Sequence, residues 1–413
     1  MHALAVVVAL ITLAFIAQEI FRFLRLPRVL AYILVGILIG LEPIRSYWYT
    51  EADAQILAFL AQVGIVLLFF FSGLEISLKQ FMRNLPVSFK VAFFNTAIPL
   101  TAGFLFAKYL GLGDYAAAVI GVSLSVSAAS FSVDLLAEMN LLQSRLSQMI
   151  LSVAAISDVL QLIVITLLFA AIRAPLGAAG VGNIFLNFLL FVVIFLGFRQ
   201  VIAPRIIALA IAEKSHATHL TAALLITLIL ALVAEWLGFG FLIGAMAGGV
   251  LVRHILLSKA VHRPWEEHQL AESVHTFAFS FFVPMFFIWV GFNTRVGDLA
   301  QYWWLGLVFA VIATLGNVGG TVIAALLSKK SAGEGLVIGW GVNGKGDVEL
   351  VVAVLAKELG ILSEGPFAAL VLMAVISMFL SPVMFQYMLK RCGPELLREH
   401  EISAQQSADI EAA

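Results

Sequence analysis

Long apolar runs recur along almost the whole chain and are separated by short clusters of charged and polar residues. A helix of about 20 apolar residues spans a bilayer. By this rule the pattern predicts thirteen transmembrane spans, numbered in chain order, and the boundaries of several are approximate. They lie at residues 3–21, 29–44, 54–76, 86–107, 115–137, 146–172, 184–203, 217–236, 239–256, 273–292, 303–328, 335–356 and 366–389.

The composition agrees with this pattern and indicates the class of protein. Hydrophobic residues make up 62% of the 413 positions, charged residues only 12%, and the mean hydropathy is +1.05. Such values are typical of an all-α polytopic membrane protein. We expect residues 1–391 to form one transmembrane domain and residues 392–413 a short cytoplasmic tail. The single cysteine, Cys392, excludes an intramolecular disulfide framework, and neither a cofactor nor a nucleic-acid partner is expected.

Positive charges divide unevenly between the predicted loops. If the N-terminus lies outside, most of the 24 Lys and Arg residues fall in inner loops, and the outer loops hold only Arg45, Lys108, Arg173, Arg295 and Lys357. Cytoplasmic loops of membrane proteins are enriched in Lys and Arg. The charges therefore predict an odd number of spans, an outer N-terminus and a cytoplasmic C-terminus, with the plasma (inner) membrane as the expected location.

Asp158 lies near the middle of span six, in a stretch from Leu146 to Ile172 that carries no other charge. An unpaired ionised group at that depth costs at least ~2.5 kcal/mol, so an intramembrane carboxylate indicates a functional site by default. A second charged group, formed by Lys345, Asp347 and Glu349, occurs in glycine-rich span twelve, where Lys345 is expected to pair with Asp347. Two buried charge sites in one membrane protein suggest an ion path, although the span-twelve charges could instead only hold that helix in shape.

A weak internal repeat relates the two halves of the chain. Span two and span nine share a Leu- and Gly-containing pattern, and this offset of seven spans inverts the second copy and pairs span five with span twelve. Both of these spans are predicted to be broken helices, which point to the ion site of a transporter. The candidate lining residues are Ser125, Ser127, Ser130 and Asn343, with Asp134 as a further possibility. Helix packing is the alternative role for any single serine.

Several motifs in a fixed order give the chain a family resemblance over residues 5–390. They are Leu24–Pro27 leading to Gly36 and Gly40, Gly64–Glu75, the serines of span five, Ser157–Asp158, Phe286–Gly291 and Lys345–Leu350. Together they resemble the monovalent cation:proton antiporter-2 family, which includes Kef-type systems and the membrane domains of bacterial Na+/H+ exchangers.

The resemblance implies an inverted-repeat fold with two crossed discontinuous helices, in a homodimer whose protomers have a dimerisation part and an ion-translocating core. It also implies that Asp158 binds either a proton or a metal cation as the core moves between the two sides. Three positions depart from the family pattern. Ser157 replaces the usual Asn or Gln before the aspartate, Asn317 stands where many relatives have a lysine, and Lys345-Gly346-Asp347 replaces Arg-Gly-Glu.

These observations predict a transporter that exchanges a monovalent cation, with Na+ favoured, for H+ across the membrane, and not an enzyme. Asp158 would be the cation ligand and proton carrier, assisted by Ser157, the span-five serines and backbone carbonyls freed by the breaks. The same residues would suit a Kef-like K+ efflux or K+:H+ system that depends on a separate cytosolic regulatory subunit.

Two further alternatives come from other classes of protein. Gly344-Lys345-Gly346-Asp347 matches the Gly-x-Gly-Asp pattern of intramembrane aspartyl proteases, with Asp158 as a candidate second aspartate. However, 189 residues separate the two aspartates, and a lysine inside the motif would perturb a catalytic pair. A transporter of organic anions would need cationic groups facing its substrate. Lys345 alone supports this alternative only weakly.

Overall fold

The computed structural model describes residues 2–24, 26–48, 50–76, 85–139, 141, 144–173, 178–212, 216–256 and 264–411. Helices connected by short turns make up this described part, which contains no β-strand. The all-α class predicted from the sequence is therefore confirmed.

The helices of the first half of the chain are α1 (His2–Phe23), α2 (Arg28–Ile39), α3 (Glu42–Trp48), α4 (Glu51–Glu75), α5 (Leu85–Tyr109), α6 (Asp114–Ser125), α7 (Ala129–Glu138), α8 (Arg145–Arg173) and α9 (Ala178–Gly197). A π-helical segment, Phe198–Ile202, follows α9 and leads into α10.

The helices of the second half are α10 (Ala203–Ala212), α11 (His216–Trp236), α12 (Phe241–Leu256), α13 (Pro264–Phe277), α14 (Val283–Phe292), α15 (Val296–Gln301), α16 (Trp303–Leu327), α17 (Ala332–Val342), α18 (Val348–Glu358) and α19 (Glu364–Glu411). A second π-helical segment, Ala278–Phe282, joins α13 to α14.

Within the described residues, nine helices are long and apolar enough to cross a membrane. They coincide with nine of the predicted spans. Spans two and nine coincide with the short apolar helices α2 and α12, and spans five and twelve with the helix pairs α6/α7 and α17/α18. The chain is thus an integral membrane protein with both predicted helix breaks, whereas the total of thirteen spans stays a prediction.

One compact unit comprises Met1–Ile76 and Leu162–Arg295. Its helices pack closely at glycines. A Cβ at Gly36 of α2 would lie 2.8 Å from the Cα of Gly291 in α14, and a Cβ at Gly73 of α4 would lie 3.1 Å from the Cα of Gly249 in α12. Such contacts, in which small residues let two backbones approach, are a common basis of helix packing in membranes.

The other compact unit comprises Ser77–Gln161 and Val296–Ala413 and contains both broken helices. Helix α16 packs against α5, α17 and α19, and α18 packs against α6. Side chains from four of the unit's helices form part of one buried apolar cluster that includes Val91, Ile150, Val337, Trp340 and Phe385. This cluster supports the polar groups described next.

Candidate ion-binding site at two broken helices

The first break separates α6 from α7 in span five. Helix α6 ends at Ser125 because Val126 adopts extended backbone angles (φ −65°, ψ 140°), and Ala128 is extended as well (φ −104°, ψ 119°). Serine side chains compete for backbone hydrogen bonds and weaken helix interiors. The break leaves carbonyl groups in the last turn of α6 without partners in their own helix.

The second break separates α17 from α18 in span twelve. Gly346 has φ +155°, a conformation that L side chains rarely adopt, so glycine is required at this turn. The next residue, Asp347, caps α18: its Oδ1 accepts a hydrogen bond of 2.8 Å from the backbone N–H of Val348. A carboxylate at a helix N-terminus also interacts favourably with the helix dipole.

The two breaks contact each other inside this unit. The backbone N–H of Ala128 donates to the carbonyl of Gly344 at 2.8 Å, and Ser132 Oγ donates to the carbonyl of Gly341 at 2.7 Å. Gly344 also has to be glycine, because a Cβ there would overlap the ring of Phe131. The crossing of two discontinuous helices expected from the sequence is therefore present.

Lys345 reaches from the second break to the first. Its side chain is only 1% exposed, and its ammonium donates to the carbonyl of Leu124 at 2.9 Å and to the carbonyl of Val126. A cation at the C-terminal end of a helix is favoured by the helix dipole. The hydrogen bonds of Lys345 therefore go to the α6 break, whereas the sequence suggested Asp347 as its partner.

Gln161 connects the first break to the helix that carries Asp158. Its Nε2 donates to the Ser125 carbonyl and to Ser127 Oγ, both at 3.2 Å, and its Oε1 accepts from the Ser127 N–H at 3.3 Å. Asp158 lies three residues earlier on α8, so both side chains fall on one face of that helix. Gln161 thereby holds this face of α8 against the first break.

Asn317, on α16, supplies the third donor to the break. Its amide donates to the Ser125 carbonyl at 3.4 Å or, in the opposite amide orientation, to the Leu124 carbonyl at 3.3 Å. Asn95 of α5 supports it, because Asn95 Nδ2 donates to the Asn317 carbonyl and to Thr321 Oγ1, both at 3.2 Å. Asn317, where the resemblance leads one to expect a lysine, thus belongs to a neutral, hydrogen-bonded network.

The carbonyl groups freed by the first break thus already have partners. Leu124, Ser125 and Val126 accept from Lys345, Gln161 or Asn317. Each of these buried carbonyls thus has the hydrogen bond that burial demands. A carbonyl oxygen has two lone pairs, so the role of these carbonyls as cation ligands stays a prediction.

Asp158 and Ser157 differ in their environments. Asp158 is half-buried, whereas Ser157 is fully buried and its Oγ has no hydrogen-bond partner among the described residues. A hydroxyl oxygen in that condition can still coordinate a small cation. The pair therefore combines an accessible carboxylate with an adjacent oxygen that no protein donor occupies.

The remaining predicted residues divide between the two breaks. Ser125 Oγ donates to the Val122 carbonyl of its own helix at 2.8 Å. Asn343 Nδ2 donates to Ser381 Oγ at 3.1 Å, and Glu349 is completely buried at the start of α18. Ser130 and Asp134 occupy α7, but their side chains lie outside the described part of the structure.

Gln161 and Asn95 are the site residues that sequence reasoning missed. Both are amides within otherwise apolar spans, and Gln161 lies one helical turn after the conspicuous Asp158. A search for every uncharged polar residue on the face of Asp158 would have found Gln161. No comparable signal marks Asn95, because its partner Asn317 is 222 residues away in the sequence.

A sequence profile described as "Sodium/hydrogen exchanger, transmembrane" matches residues 6–391, almost the whole chain. The chain belongs to the sodium/hydrogen exchanger family. Members of this family are transporters, so the prediction that the protein is not an enzyme is confirmed. The Gly-x-Gly-Asp pattern is then a chance match, and its aspartate caps α18.

Curated relatives of this exchanger agree with that membership. The Na(+)/H(+)-K(+) antiporter GerN of Bacillus cereus is 28% identical over 363 residues, covering 87% of this chain and 89% of GerN. A Na(+)/H(+) antiporter of Enterococcus hirae is 24% identical over 382 residues, covering 91% and 95%.

A solved structure shows the same fold. The sodium proton antiporter MjNhaP1 of Methanocaldococcus jannaschii, at pH 8, matches with a TM-score of 0.66 over 95% of this chain and 100% of that chain, at 15% sequence identity. The prediction of a Na+/H+ antiporter-like fold is thereby confirmed, and exchange of a cation for protons is the function that the relatives support.

Proposed function

We propose that this exchanger moves Na+ across the membrane in exchange for H+ by alternating access, and that both ions compete for Asp158. The observation that carries the proposal is the placement of this carboxylate, one helical turn from Gln161, which itself binds the break between α6 and α7. Discontinuous helices at matching positions of inverted repeats are the usual location of a transporter's ion site.

Competition at one carboxylate couples the two fluxes. Asp158 can hold a proton or a metal cation, and the presence of one disfavours the other, because a nearby positive charge favours the ionised form that a proton would neutralise. Ser157 Oγ is the nearest additional oxygen in sequence, and it is free of protein donors in the described structure. A hard monovalent cation favours such oxygen ligands.

K+ is the second candidate cation. The name of the relative GerN includes K+ beside Na+, and Kef-type K+ exchange is the alternative that the sequence suggests. A Kef-type system would work with a separate cytosolic regulatory subunit. Cation selectivity measured on the purified exchanger distinguishes the two candidates.

The assembly and orientation complete the proposal. The exchanger acts as a homodimer in the plasma (inner) membrane, with the N-terminus outside and the C-terminus cytoplasmic, as the uneven distribution of Lys and Arg favours. The unit that holds both breaks serves as the ion-translocating core, because the polar groups of the candidate site belong to it.

Proton flux in sealed proteoliposomes tests the central proposal. A pH gradient is imposed, and Na+, K+ or Li+ is added in turn to wild type, Asp158→Asn and Asp114→Asn. Asp114 is the matched control, because its carboxylate is 81% exposed and pairs with Lys108 far from the breaks. Wild type and Asp114→Asn should collapse the gradient on addition of the transported cation, and Asp158→Asn should not. Full cation-dependent flux in Asp158→Asn would remove Asp158 from the coupling.

A further inference from the structure

Glu349 is a buried carboxyl group that the competition at Asp158 does not use. It is the second residue of α18, its side chain is 0% exposed, and neither carboxylate oxygen makes a hydrogen bond within the described structure. Buried polar groups nearly always have hydrogen-bond partners, so each exception calls for an explanation.

The charged residues near Glu349, Lys345 and Asp347, make their hydrogen bonds to other groups. Lys345, the nearby cation, donates to the carbonyls of Leu124 and Val126 and forms no ion pair with Glu349 among the described residues. Asp347 caps α18 through the N–H of Val348. The backbone N–H groups of Gly346 and of Glu349 itself also interact with its carboxylate.

Helices α6 and α19, which pack against α18, bring no further charged group close to Glu349 in the described structure. Its charge state therefore depends on burial, on Lys345 and Asp347, and on the backbone N–H groups of Gly346 and Glu349. Burial makes an ionised carboxylate costly, and a bound proton removes that cost. When the proton leaves, the Lys345 ammonium offsets the new charge. Both states of the group are thus accessible inside the protein.

We propose that Glu349 is a second proton-binding carboxyl, which takes up and releases a proton in each transport cycle in addition to the proton at Asp158. The inference rests on the proposed exchange function and extends it to the number of protons moved per cation. The proton binds to one carboxylate oxygen of Glu349 and returns to water on the opposite side, so no other reactant is required. Exchange would then carry net charge, because two protons cross for each monovalent cation.

The ratio of protons to cations is measured by balancing opposed gradients in proteoliposomes. An equal concentration of the membrane-permeant anion thiocyanate on both sides, with no K+ present, holds the membrane potential near zero. The pH gradient that just stops net flux against a fixed Na+ gradient then gives the ratio. The proteins are wild type, Glu349→Gln and Glu364→Gln. Glu364 is the matched control, because it lies at the start of α19 and pairs with Lys357.

Glu349→Gln keeps the shape of the side chain but cannot bind a proton. It should continue to exchange Na+ for H+, and the pH gradient needed to balance the Na+ gradient should be about twice that of wild type and of Glu364→Gln. Exchange by Glu349→Gln should also lose its response to an imposed membrane potential.

Three results would overturn the inference. One is the same ratio in wild type and Glu349→Gln. Another is a ratio of one in wild type, which decides the question even if Glu349→Gln fails to fold. The third is that Glu349→Gln does not fold alone but folds in the double variant with Lys345→Met. That result would show that Glu349 only balances the charge of Lys345 and stays ionised. Failure of the proposed function can be distinguished from failure of this inference, because it would appear as full cation-dependent exchange in Asp158→Asn.

Discussion

The two helix breaks occupy corresponding positions of the predicted repeat, yet their polar groups are satisfied in different ways. At the first break the chain contributes no charge, and its carbonyls accept from Lys345, Gln161 and Asn317, which lie on other segments. At the second break the chain brings its own charges and Asp347 caps the next helix, while the carbonyls of Gly341 and Gly344 accept from Ser132 and Ala128. The first break thus depends on side-chain donors from other segments, whereas the second combines a cap of its own with donors from the first break.

This difference indicates which residues connect the ion site to the rest of its unit. A break that depends on donors from three other segments transmits any movement of those segments to the backbone near Asp158. Lys345 belongs to the second break and binds the first, so it joins the two breaks directly.

Replacing Lys345 with methionine should have the largest effect. The change leaves the buried carbonyls of Leu124 and Val126 without their ammonium donor and costs about 3 kcal/mol or more in stability. Thermal unfolding in detergent measures the loss. Lys108→Met is the matched control, because Lys108 pairs with the exposed Asp114, and its loss should cost about 0–1 kcal/mol. Equal shifts in the two variants would show that Lys345 does not hold the breaks together.

Replacing Gln161 with leucine should weaken cation binding more than it weakens the fold. The Ser127 amide and hydroxyl lose their partner, which costs about 1–3 kcal/mol. Because Gln161 positions the face of Asp158, the cation concentration for half-maximal exchange should rise severalfold with a smaller change in maximal rate.

The control for this prediction is Gln148→Leu on the same helix, α8, in the half-buried turn near its start. This variant should keep the wild-type cation dependence. Ser127→Ala provides a second check, because its effect and that of Gln161→Leu should not add if the two side chains act through one contact. Fully additive effects would contradict a shared role.

The outline of the fold and the position of the site could be predicted from the sequence, whereas the hydrogen-bond partners within the site could not. Asp158 and the broken spans stand out because charge, serine and glycine are costly or disruptive in an apolar helix. The partners of the carbonyls could not be predicted. Whether Lys345 turns to Asp347 or to the α6 break depends on tertiary geometry, and Gln161 and Asn95 carry no charge that would single them out.

Replacing Asp347 with alanine should have the smallest effect of the three. It removes the cap of α18, which costs about 0.5–2 kcal/mol. Asp347→Asn keeps a capping oxygen without the charge and should recover most of this loss. Ser331→Ala is the matched control, because Ser331 Oγ caps the companion helix α17 by accepting from the Glu334 N–H at 3.0 Å. Similar losses in Asp347→Ala and Ser331→Ala, with exchange retained in both, would show that the second break needs Asp347 only as a cap. A loss of exchange in Asp347→Asn at unchanged stability would instead show that its charge serves transport, and the contrast between the two breaks would then be smaller than the structure indicates.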